Sequence, residues 1–288
     1  MRGHKKFLAL SHIVLILCCV AALVPFWLLL AASFTDESYV AHHGYSLFPV
    51  SLSLDAYKYL FSKIAWFGRG YGITIIVTVV GVILCILITT MLGYMLSKRQ
   101  MPFVKLMDFY IIFTMLFNGG LVATYINYSN VFHIKNTLWA YIVPGILCNA
   151  FYVMLTKGYF LNSIPEELME AARIDGASEY KIFFKIAFPL AKPIIATIAL
   201  MVGVMYWNDW QNGMYYIDDQ SLYGIQNILN AINSNAKYLA TMGGNVASIP
   251  TETTRMAVAV VGILPIVAAY PFFQEYFAKG ITIGAVKG

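Results

Sequence analysis

Six long runs without acidic or basic residues decide what this chain can fold into. They span residues 7–35, 70–97, 109–134, 136–156, 193–208 and 256–274. A helix needs roughly 20 apolar residues to cross a bilayer, and in lipid it satisfies its own backbone hydrogen bonds. The run at 193–208 is short unless Asp209 and Trp210 extend it. The sequence therefore predicts an all-α, polytopic membrane protein with six transmembrane helices.

The composition agrees with a membrane protein and argues against an enzyme. Of all residues, 60% are hydrophobic and 11% are charged, whereas about a quarter are charged in soluble domains. The sequence contains no G-x-x-x-x-G-K-[ST] phosphate loop, no H-E-x-x-H pair and no His/Cys cluster at ligand spacing. The four cysteines lie in apolar runs, where they are expected to pack as small hydrophobes. We therefore expect no catalytic residue, no metal and no cofactor in this chain.

The first run is too long for a secretory signal peptide. Arg2, Lys5 and Lys6 precede it, and Ala31-Ala32 resembles a cleavage site. The apolar region of a signal peptide, however, has only about 7 to 15 residues. The run is expected to remain in the protein as a transmembrane anchor.

The basic residues predict the orientation in the membrane. Six spans place both termini on one side, and a cytoplasmic placement puts most of the 19 Lys and Arg residues inside. The outer ones would be Lys58, Lys63, Arg69, Lys135, Lys237 and Arg255. The sequence thus predicts a multi-pass protein of the cell membrane with both termini in the cytoplasm. The net charge of +5 reflects these flanks, so a lipid bilayer is the expected partner and no nucleic acid is.

The segment 163–193 is a charged stretch between two closely spaced runs, on the predicted cytoplasmic side. Ser163, Pro165 and Glu166 are typical of a helix start, with Ser163 as the N-cap. Gly176 is expected to end this helix, and Ser178 to cap a second one. The prediction is a short helix, a glycine turn without room for a side chain, and another short helix.

The charges of this segment favour a protein partner over a lipid surface. In the first helix, Leu168, Ala171 and Ala172 are predicted to share an apolar face. Basic and acidic residues balance between positions 157 and 192: Lys157, Arg173, Lys181, Lys185 and Lys192 against Glu166, Glu167, Glu170, Asp175 and Glu179. A lipid-binding helix would be basic, because each Lys or Arg near anionic headgroups contributes about 1 kcal/mol. Docking into a protein groove is the better interpretation.

The same segment carries a family resemblance. Its spacing runs Glu170-Ala171-Ala172, three residues, Gly176, nine residues, Ile186, one residue, Phe188-Pro189. This resembles the EAA loop of ABC importer permeases, with Phe188 in place of the usual Leu. The extended string around it, and the C-terminal stretch 272–288, resemble permeases that take up carbohydrate, in particular oligosaccharides.

The resemblance implies a function and a set of partners. The fold would be the type I ABC importer transmembrane domain, and the loop would be a coupling helix that docks in a cleft of cytoplasmic ATP-binding subunits. The docking residues would be Glu170, Ala171, Ala172, Asp175, Gly176, Ala177, Ile186 and Pro189. A second, non-identical permease would complete the pathway, and an extracytoplasmic solute-binding protein would deliver the carbohydrate. ATP hydrolysis would take place in the partner subunits.

The same resemblance implies a domain division. Residues 1–69 would hold the first helix and an outer loop, 70–278 the five-helix importer core with the loop 163–193, and 279–288 a cytoplasmic tail. The outer loops, up to residue 69 and from 213 to 255, would face the solute-binding protein or would be plain solvated connections. The segment 51–61 is predicted to be a short amphipathic helix, and 213–255 shows no strong periodicity.

A polar, aromatic run at the outer end of the fifth span is the main candidate for the substrate path. It comprises Trp207, Asn208, Asp209 and Trp210. Aromatic rings can stack on sugar faces, and amide and carboxylate groups can bind hydroxyls. The alternative is an interfacial aromatic belt, which is the commoner arrangement. Asn149 and Tyr125 could also line the path, or could form hydrogen bonds between helices.

Two other functions share part of this pattern. A secondary transporter or channel would need no ATPase, but ion-coupling carboxylates at mid-membrane are nearly absent from the runs. An ABC permease for a non-sugar solute would keep the loop without the carbohydrate-type context. An oligosaccharide importer therefore remains the best hypothesis.

Overall fold

The computed structural model describes residues 2–98, 101–146, 149–241 and 252–285. Within these ranges the regular secondary structure is helical, apart from one isolated bridge between Thr35 and Leu52. The predicted all-α class is confirmed. The chain divides into two compact units, Met1–Gly68 with Ile228–Pro265, and Arg69–Asn227 with Ile266–Gly288.

The first unit holds the N-terminal helix and the outer loop that follows it. Its helices are α1 (Arg2–Ser33), α2 (Glu37–His43) and α3 (Asp55–Ser62). The amphipathic helix predicted for 51–61 is confirmed by α3, which begins later, at Asp55, and buries Ala56 and Leu60. The Glu37 carboxylate accepts backbone hydrogen bonds from Glu252 and Thr253, each at 2.9 Å, at the start of the C-terminal helix.

The second unit is built from a series of shorter helices after one long one. In chain order these are α4 (Ile64–Ser97), α5 (Val104–Leu116), α6 (Leu121–Ile126), α7 (Trp139–Ile146), α8 (Ala150–Ser163), α9 (Glu166–Ile174), α10 (Glu179–Ile182), α11 (Phe188–Leu190), α12 (Lys192–Trp207) and α13 (Gln211–Tyr216). Two π-helical turns, Asn127–Val131 and Phe183–Ala187, follow α6 and α10. The last two helices, α14 (Ile225–Thr241) and α15 (Glu252–Ala285), each run from one unit into the other.

Helices also lie within the segment 213–255. The sequence shows no strong periodicity there, and the structure places α13 and α14 in much of it. At the other end, α15 continues through Ala285, so the predicted tail from 279 begins as helix. Residues 286–288 of that tail lie outside the described residues.

Two described segments are long and apolar enough to cross a membrane as single helices. They are Leu10–Ser33 and Ile64–Ser97, and the number rises to five if each of three bent helix pairs forms one span. The first two pairs correspond to the predicted third and fourth spans, with bends of 114° and 49°. The third pair joins Glu179–Leu190 to Lys192–Trp207 at 78°, and only its second helix matches the predicted fifth span, 193–208. The sixth predicted span, 256–274, lies within α15. The count of six remains a prediction.

The sharpest bend falls at a glycine pair. Helix α5 ends at Leu116 and α6 begins at Leu121, with Gly120 between them at φ +84°. This backbone conformation is open to glycine and costly for residues with a Cβ. The sequence Asn118-Gly119-Gly120 therefore breaks the third span.

The core of the second unit packs around α4, α7, α8 and α12. Val153, Ile198 and Val202 are completely buried. Gly93 of α4 lies where a Cβ would come within 2.8 Å of Thr156 in α8, so these two helices approach closely. This packing holds the C-terminal part of α4 against α8.

Candidate functional site

The polar run after α12 forms a tight loop held by its own side chains. Asn208 ends α12, and its amide Nδ2 donates to the Val204 carbonyl at 3.0 Å. The Asp209 carboxylate accepts from the backbone N–H of Asn212 at 3.0 Å and from the Asn212 side-chain amide at 2.7 Å. These bonds turn the chain into α13. The loop therefore holds the half-buried carboxylate in one orientation.

A cavity of about 240 Å³ opens beside this loop. Its walls come from α7, from the end of α12 and from the loop, and consist of Tyr141, Pro144, Gly145, Met205, Tyr206, Asn208, Asp209, Trp210, Gln211 and Asn212. The lining combines aromatic rings with amide and carboxylate groups. Such a mixture of apolar wall and a few oriented polar groups is typical of small-molecule sites.

Tyr206 forms the floor of the cavity through a close approach of three helices. Its phenol donates to the Ile142 carbonyl of α7 at 2.8 Å. A Cβ at Gly81 of α4 would lie 2.5 Å from the Tyr206 ring, and a Cβ at Gly145 of α7 would lie 2.6 Å from its hydroxyl oxygen. Only glycine fits at both positions, so the ring is clamped between α4 and α7.

A buried amide holds the loop from the opposite side. The Asn227 side chain donates to the Trp210 carbonyl at 2.8 Å and accepts from the Tyr141 hydroxyl at 3.1 Å. Gly213 permits this arrangement, because a Cβ there would lie 2.2 Å from Asn227 Oδ1. The neighbouring Gln226 amide donates to Asn208 Oδ1 at 3.2 Å. Residues more than a dozen positions downstream thus shape the cavity.

The structure brings together three of the six residues predicted for the substrate path. Asn208, Asp209 and Trp210 all line the cavity. Trp207 instead packs inside the protein, 9% exposed, with its ring centroid 6.3 Å from that of Tyr71 in α4. An interior position of this kind does not match an exposed aromatic belt.

The other two predicted path residues lie apart from the cavity. Asn149 is the N-cap of α8, where its side chain accepts from the Phe151 N–H at 3.1 Å. Tyr125 stacks on Tyr216 with ring centroids 5.6 Å apart and receives a hydrogen bond from Lys135 at 3.4 Å. Sequence reasoning missed Tyr141, Tyr206 and Asn227. The glycines opposite them are their only sequence signal.

The environment of Asp209 has opposing effects on its charge. Burial raises the pKa of this carboxyl above its ordinary value, and the hydrogen bonds from Asn212 and Gln211 partly oppose that rise. Among the described residues, the cavity lining contains no basic side chain. The site is therefore better suited to accept hydrogen bonds from hydroxyl groups than to bind an anion.

The second candidate site is the docking loop, by which we mean residues 163–193. Gly176 has φ +77° and separates α9 from α10, as predicted, and the Ser178 hydroxyl accepts from the Lys181 N–H at 3.4 Å to cap α10. The predicted Ser163 cap is wrong. Ser163 is the last residue of α8, and Pro165 occupies the N-cap position of α9.

The docking loop has a buried and an exposed face. Met169, Ile182 and Phe183 are buried against the core, whereas Leu168 is 48% exposed. Of the predicted apolar face, Leu168 and Ala171 are exposed and Ala172 is half-buried. Gly176 was expected to lack room for a side chain, yet no atom lies within 4 Å of its Cβ position.

The residues predicted for docking lie mainly on the free surface of this loop. Glu170, Ala171, Asp175, Gly176 and Pro189 are exposed. Ala172, Ala177 and Ile186 are half-buried. Large apolar side chains accompany them, with Ile174 87% and Tyr180 71% exposed. A mixed apolar and charged surface of this kind is typical of protein–protein contact.

Comparison with known proteins gives consistent results. The model of the family described as "Binding-protein-dependent transport system inner membrane component" matches residues 90–283. Protein LplC of Bacillus subtilis is 39% identical over 268 residues, covering 92% of this chain and 90% of that protein.

A second relative and a solved structure span almost the whole chain. The polygalacturonan/rhamnogalacturonan transport system permease protein YtcP of Bacillus subtilis is 35% identical over 288 residues, covering 99% of each chain. A crystal structure of a bacterial ABC transporter involved in the import of the acidic polysaccharide alginate contains a chain with a TM-score of 0.82 and 29% identity. The likeness covers 96% of this chain and 98% of that one.

Proposed function

This chain belongs to the family of binding-protein-dependent transport system inner membrane components, and from that membership we propose that it is the permease subunit of an ATP-driven importer of oligosaccharides. The observation that carries the proposal is the near full-length similarity to oligosaccharide permeases and to an alginate importer. The all-helical fold agrees with that of an ABC importer permease. It is a multi-pass protein of the cell membrane.

The proposed complex contains further subunits. A second, non-identical permease would complete the pathway, cytoplasmic ATP-binding subunits would hydrolyse ATP, and a solute-binding protein would deliver substrate. The docking loop would bind the ATP-binding subunits through Glu170, Ala171, Asp175, Gly176 and Pro189. Its exposed apolar side chains support this proposal, because Ile174 and Tyr180 would otherwise remain in water.

The cavity beside Asp209 is the proposed sugar contact of this subunit. Its volume of about 240 Å³ lies below the range of roughly 300–1,000 Å³ for drug-sized ligands, so it suits one sugar ring of a longer chain. The Trp210 and Tyr206 rings would form its apolar wall, and Asp209 would accept hydrogen bonds from sugar hydroxyls. The partner permease would supply the opposite side.

The docking loop also defines the proposed orientation. Both termini and the loop would be cytoplasmic, as the basic residues predict. Single cysteines at positions 58 and 179 would test this with an impermeant thiol reagent on intact cells. Labelling at 58 alone, with 179 reacting only after permeabilisation, is expected. The reverse pattern would contradict the orientation and the docking role together.

The function is tested by uptake in a reconstituted complex. The chain would be co-expressed with the neighbouring permease, ATP-binding and solute-binding genes of its source, and the purified complex placed in proteoliposomes. A panel of oligogalacturonides, alginate oligomers, arabino-oligosaccharides and raffinose would be offered with and without ATP. ATP-dependent accumulation of at least one of them is expected. Uptake that persists without any ATP-binding subunit would favour a secondary transporter or channel instead.

A further inference from the structure

One carboxylate joins the docking loop to the end of α4. Glu179, the first residue of α10, forms ion pairs with Lys98, directly after α4, and with Arg173 of α9, the latter at 2.8 Å. The Tyr94 hydroxyl also donates to Glu179, at 3.2 Å. Through its two oxygens, Glu179 therefore links α10 to α9 and to the end of α4.

The surroundings of this carboxylate make it more than an ordinary surface ion pair. Single exposed ion pairs contribute little, because water screens them and both side chains lose freedom. Here the Lys98 side chain is only 12% exposed, and its ammonium lies 4.2 Å from the centre of the Tyr94 ring. A charge so shielded from water depends strongly on its partner. Glu179 is that partner.

Aromatic side chains pack against Tyr94, which lies beside these ion pairs. The Tyr94 ring lies 5.5 Å from Phe160 of α8 and 5.3 Å from Phe183, which follows α10. Tyr94 and Phe183 are buried. This aromatic contact keeps α4, α8 and the docking loop together without any charge. Loss of the Glu179 carboxylate would therefore leave the fold intact while removing the ion pairs that join α9 and α10 to the end of α4.

The other part of α4 reaches the candidate sugar cavity. Its Gly81 packs on the Tyr206 ring that forms the cavity floor, and its Thr74 hydroxyl accepts from the Ile225 N–H at 2.9 Å. At about 1.5 Å per residue, residues 69–97 of this helix extend over about 40 Å. A continuous helix thus connects the docking loop with the cavity inside one compact unit.

We propose that Glu179 is a positioning residue that passes movement of the docking loop to α4, and through α4 to the sugar cavity, with Lys98 as its partner. The inference rests on the proposed function. Arg173 fixes Glu179 across the Gly176 turn, so that α9 and α10 move together. Lys98 then transmits that movement to the end of α4. The contacts form a continuous chain from the docking loop to the cavity, and the coupling between these two sites can be measured directly.

The experiment uses the whole reconstituted complex and needs no identified sugar. Met205 lines the cavity, so Met205→Cys would serve as a reporter in a background whose four native cysteines are replaced by alanine. The rate of labelling by a maleimide is compared without nucleotide and with ATP plus vanadate. The wild-type background should change its rate severalfold between these two states.

Four single variants and one double variant separate the proposed link from local stability. Glu179→Gln is expected to lose at least two thirds of the ATP-dependent change, while its ATP-binding subunits still co-purify. Lys98→Met should show a similar loss and Lys98→Arg should retain the change, because only the charge is needed. The exposed Glu167→Gln on the same loop is the matched control and should behave as wild type. The double variant Lys98→Met/Glu179→Gln should be no worse than Glu179→Gln alone, as expected for one interacting pair.

Four other results would contradict the inference, a part of it, or the proposed function. Full ATP-dependent change in Glu179→Gln overturns the inference, as does loss of the ATP-binding subunits in that variant, which would make its role one of docking. If Lys98→Met has no effect, Glu179 acts only within the loop and the link to α4 is wrong. If the wild-type complex binds no ATP-binding subunit, the proposed function fails and the inference falls with it.

Discussion

The docking loop and the sugar cavity are built in opposite ways. The docking loop is a continuous stretch whose turn, caps and charges follow one another along the chain, from α9 through Gly176 to α10. The cavity is assembled from α7, α12 and the start of α14, with Gly81 of α4 behind it. A local element can be recognised by its spacing, whereas a site built from distant elements cannot. The two should also differ in their response to mutation.

The largest effect is expected at Gly145, one of the two glycines that lie against the Tyr206 side chain. In Gly145→Ala the new Cβ would lie 2.6 Å from the Tyr206 hydroxyl oxygen, so the ring must move and its hydrogen bond to Ile142 is lost. Overpacking of this kind costs about 1–3 kcal/mol. Sugar uptake should fall at least tenfold in assembled complexes.

The matched control for Gly145→Ala is Gly203→Ala in α12. A Cβ at Gly203 would meet Val82 at 3.8 Å, an ordinary contact. Uptake by this variant should stay near wild type, because alanine also favours a helix. Equal losses in the two glycine variants would mean that helix packing in general, and not the Tyr206 floor, limits transport.

A somewhat smaller effect is expected for the cavity carboxylate. Asp209→Asn keeps one oxygen for the Asn212 N–H but removes the charge and one acceptor. Loss of a hydrogen bond to a buried partner costs about 1–3 kcal/mol, and at the lower end of that range uptake should fall about fivefold. Uptake at several sugar concentrations measures this, after assembly with the ATP-binding subunits has been confirmed.

The control for Asp209 is its neighbour Trp207. This ring packs on Tyr71 and does not line the cavity, so Trp207→Phe should reduce uptake by less than Asp209→Asn does. Normal uptake by Asp209→Asn would remove the carboxylate from the proposed sugar path. It would leave Asp209 the role of holding the loop before α13.

In the docking loop the decisive substitution is at Gly176. The chain leaves open space around this glycine, so its positive φ is the only internal obstacle to a side chain. Asparagine tolerates this conformation better than leucine does. Gly176→Asn should therefore keep most of its sugar-stimulated ATP hydrolysis, and Gly176→Leu should lose severalfold more through a clash in the partner's cleft. Equal activity of both variants would exclude Gly176 from the contact surface.

How much the sequence could predict follows from this contrast between the two regions. Helical class, the Gly176 turn and the Ser178 cap depend on neighbouring residues, and all were predicted. The Ser163 cap was wrong because α8 continues through that residue. Tyr206 and Asn227 could not be predicted, since their roles arise from contacts with residues 64 positions or 17 positions away.

The smallest predicted effect concerns the charge that links the loop to α4. Burial is the main cause that lowers the pKa of Lys98 to about 8, nearby Arg173 adds to it, and Glu166 opposes it. Because the pKa of this base is lowered, its charge is present below pH 8 and is lost as the pH rises through that value. The ion pair with Glu179, beside Tyr94, should then weaken between pH 7 and 9.

The measurement is the ATP-dependent labelling change at Met205→Cys, taken at pH 7 and pH 9. It should fall by about twofold in the wild-type background, in line with a loss of most of the Lys98 charge over that range. Lys98→Arg keeps its charge throughout, so its change should be the same at both values. A fall of the same size in Lys98→Arg would place the titrating group elsewhere in the complex. A flat response in both would mean that Glu179 keeps Lys98 charged at pH 9, and that the ion pair is stronger than its burial suggests.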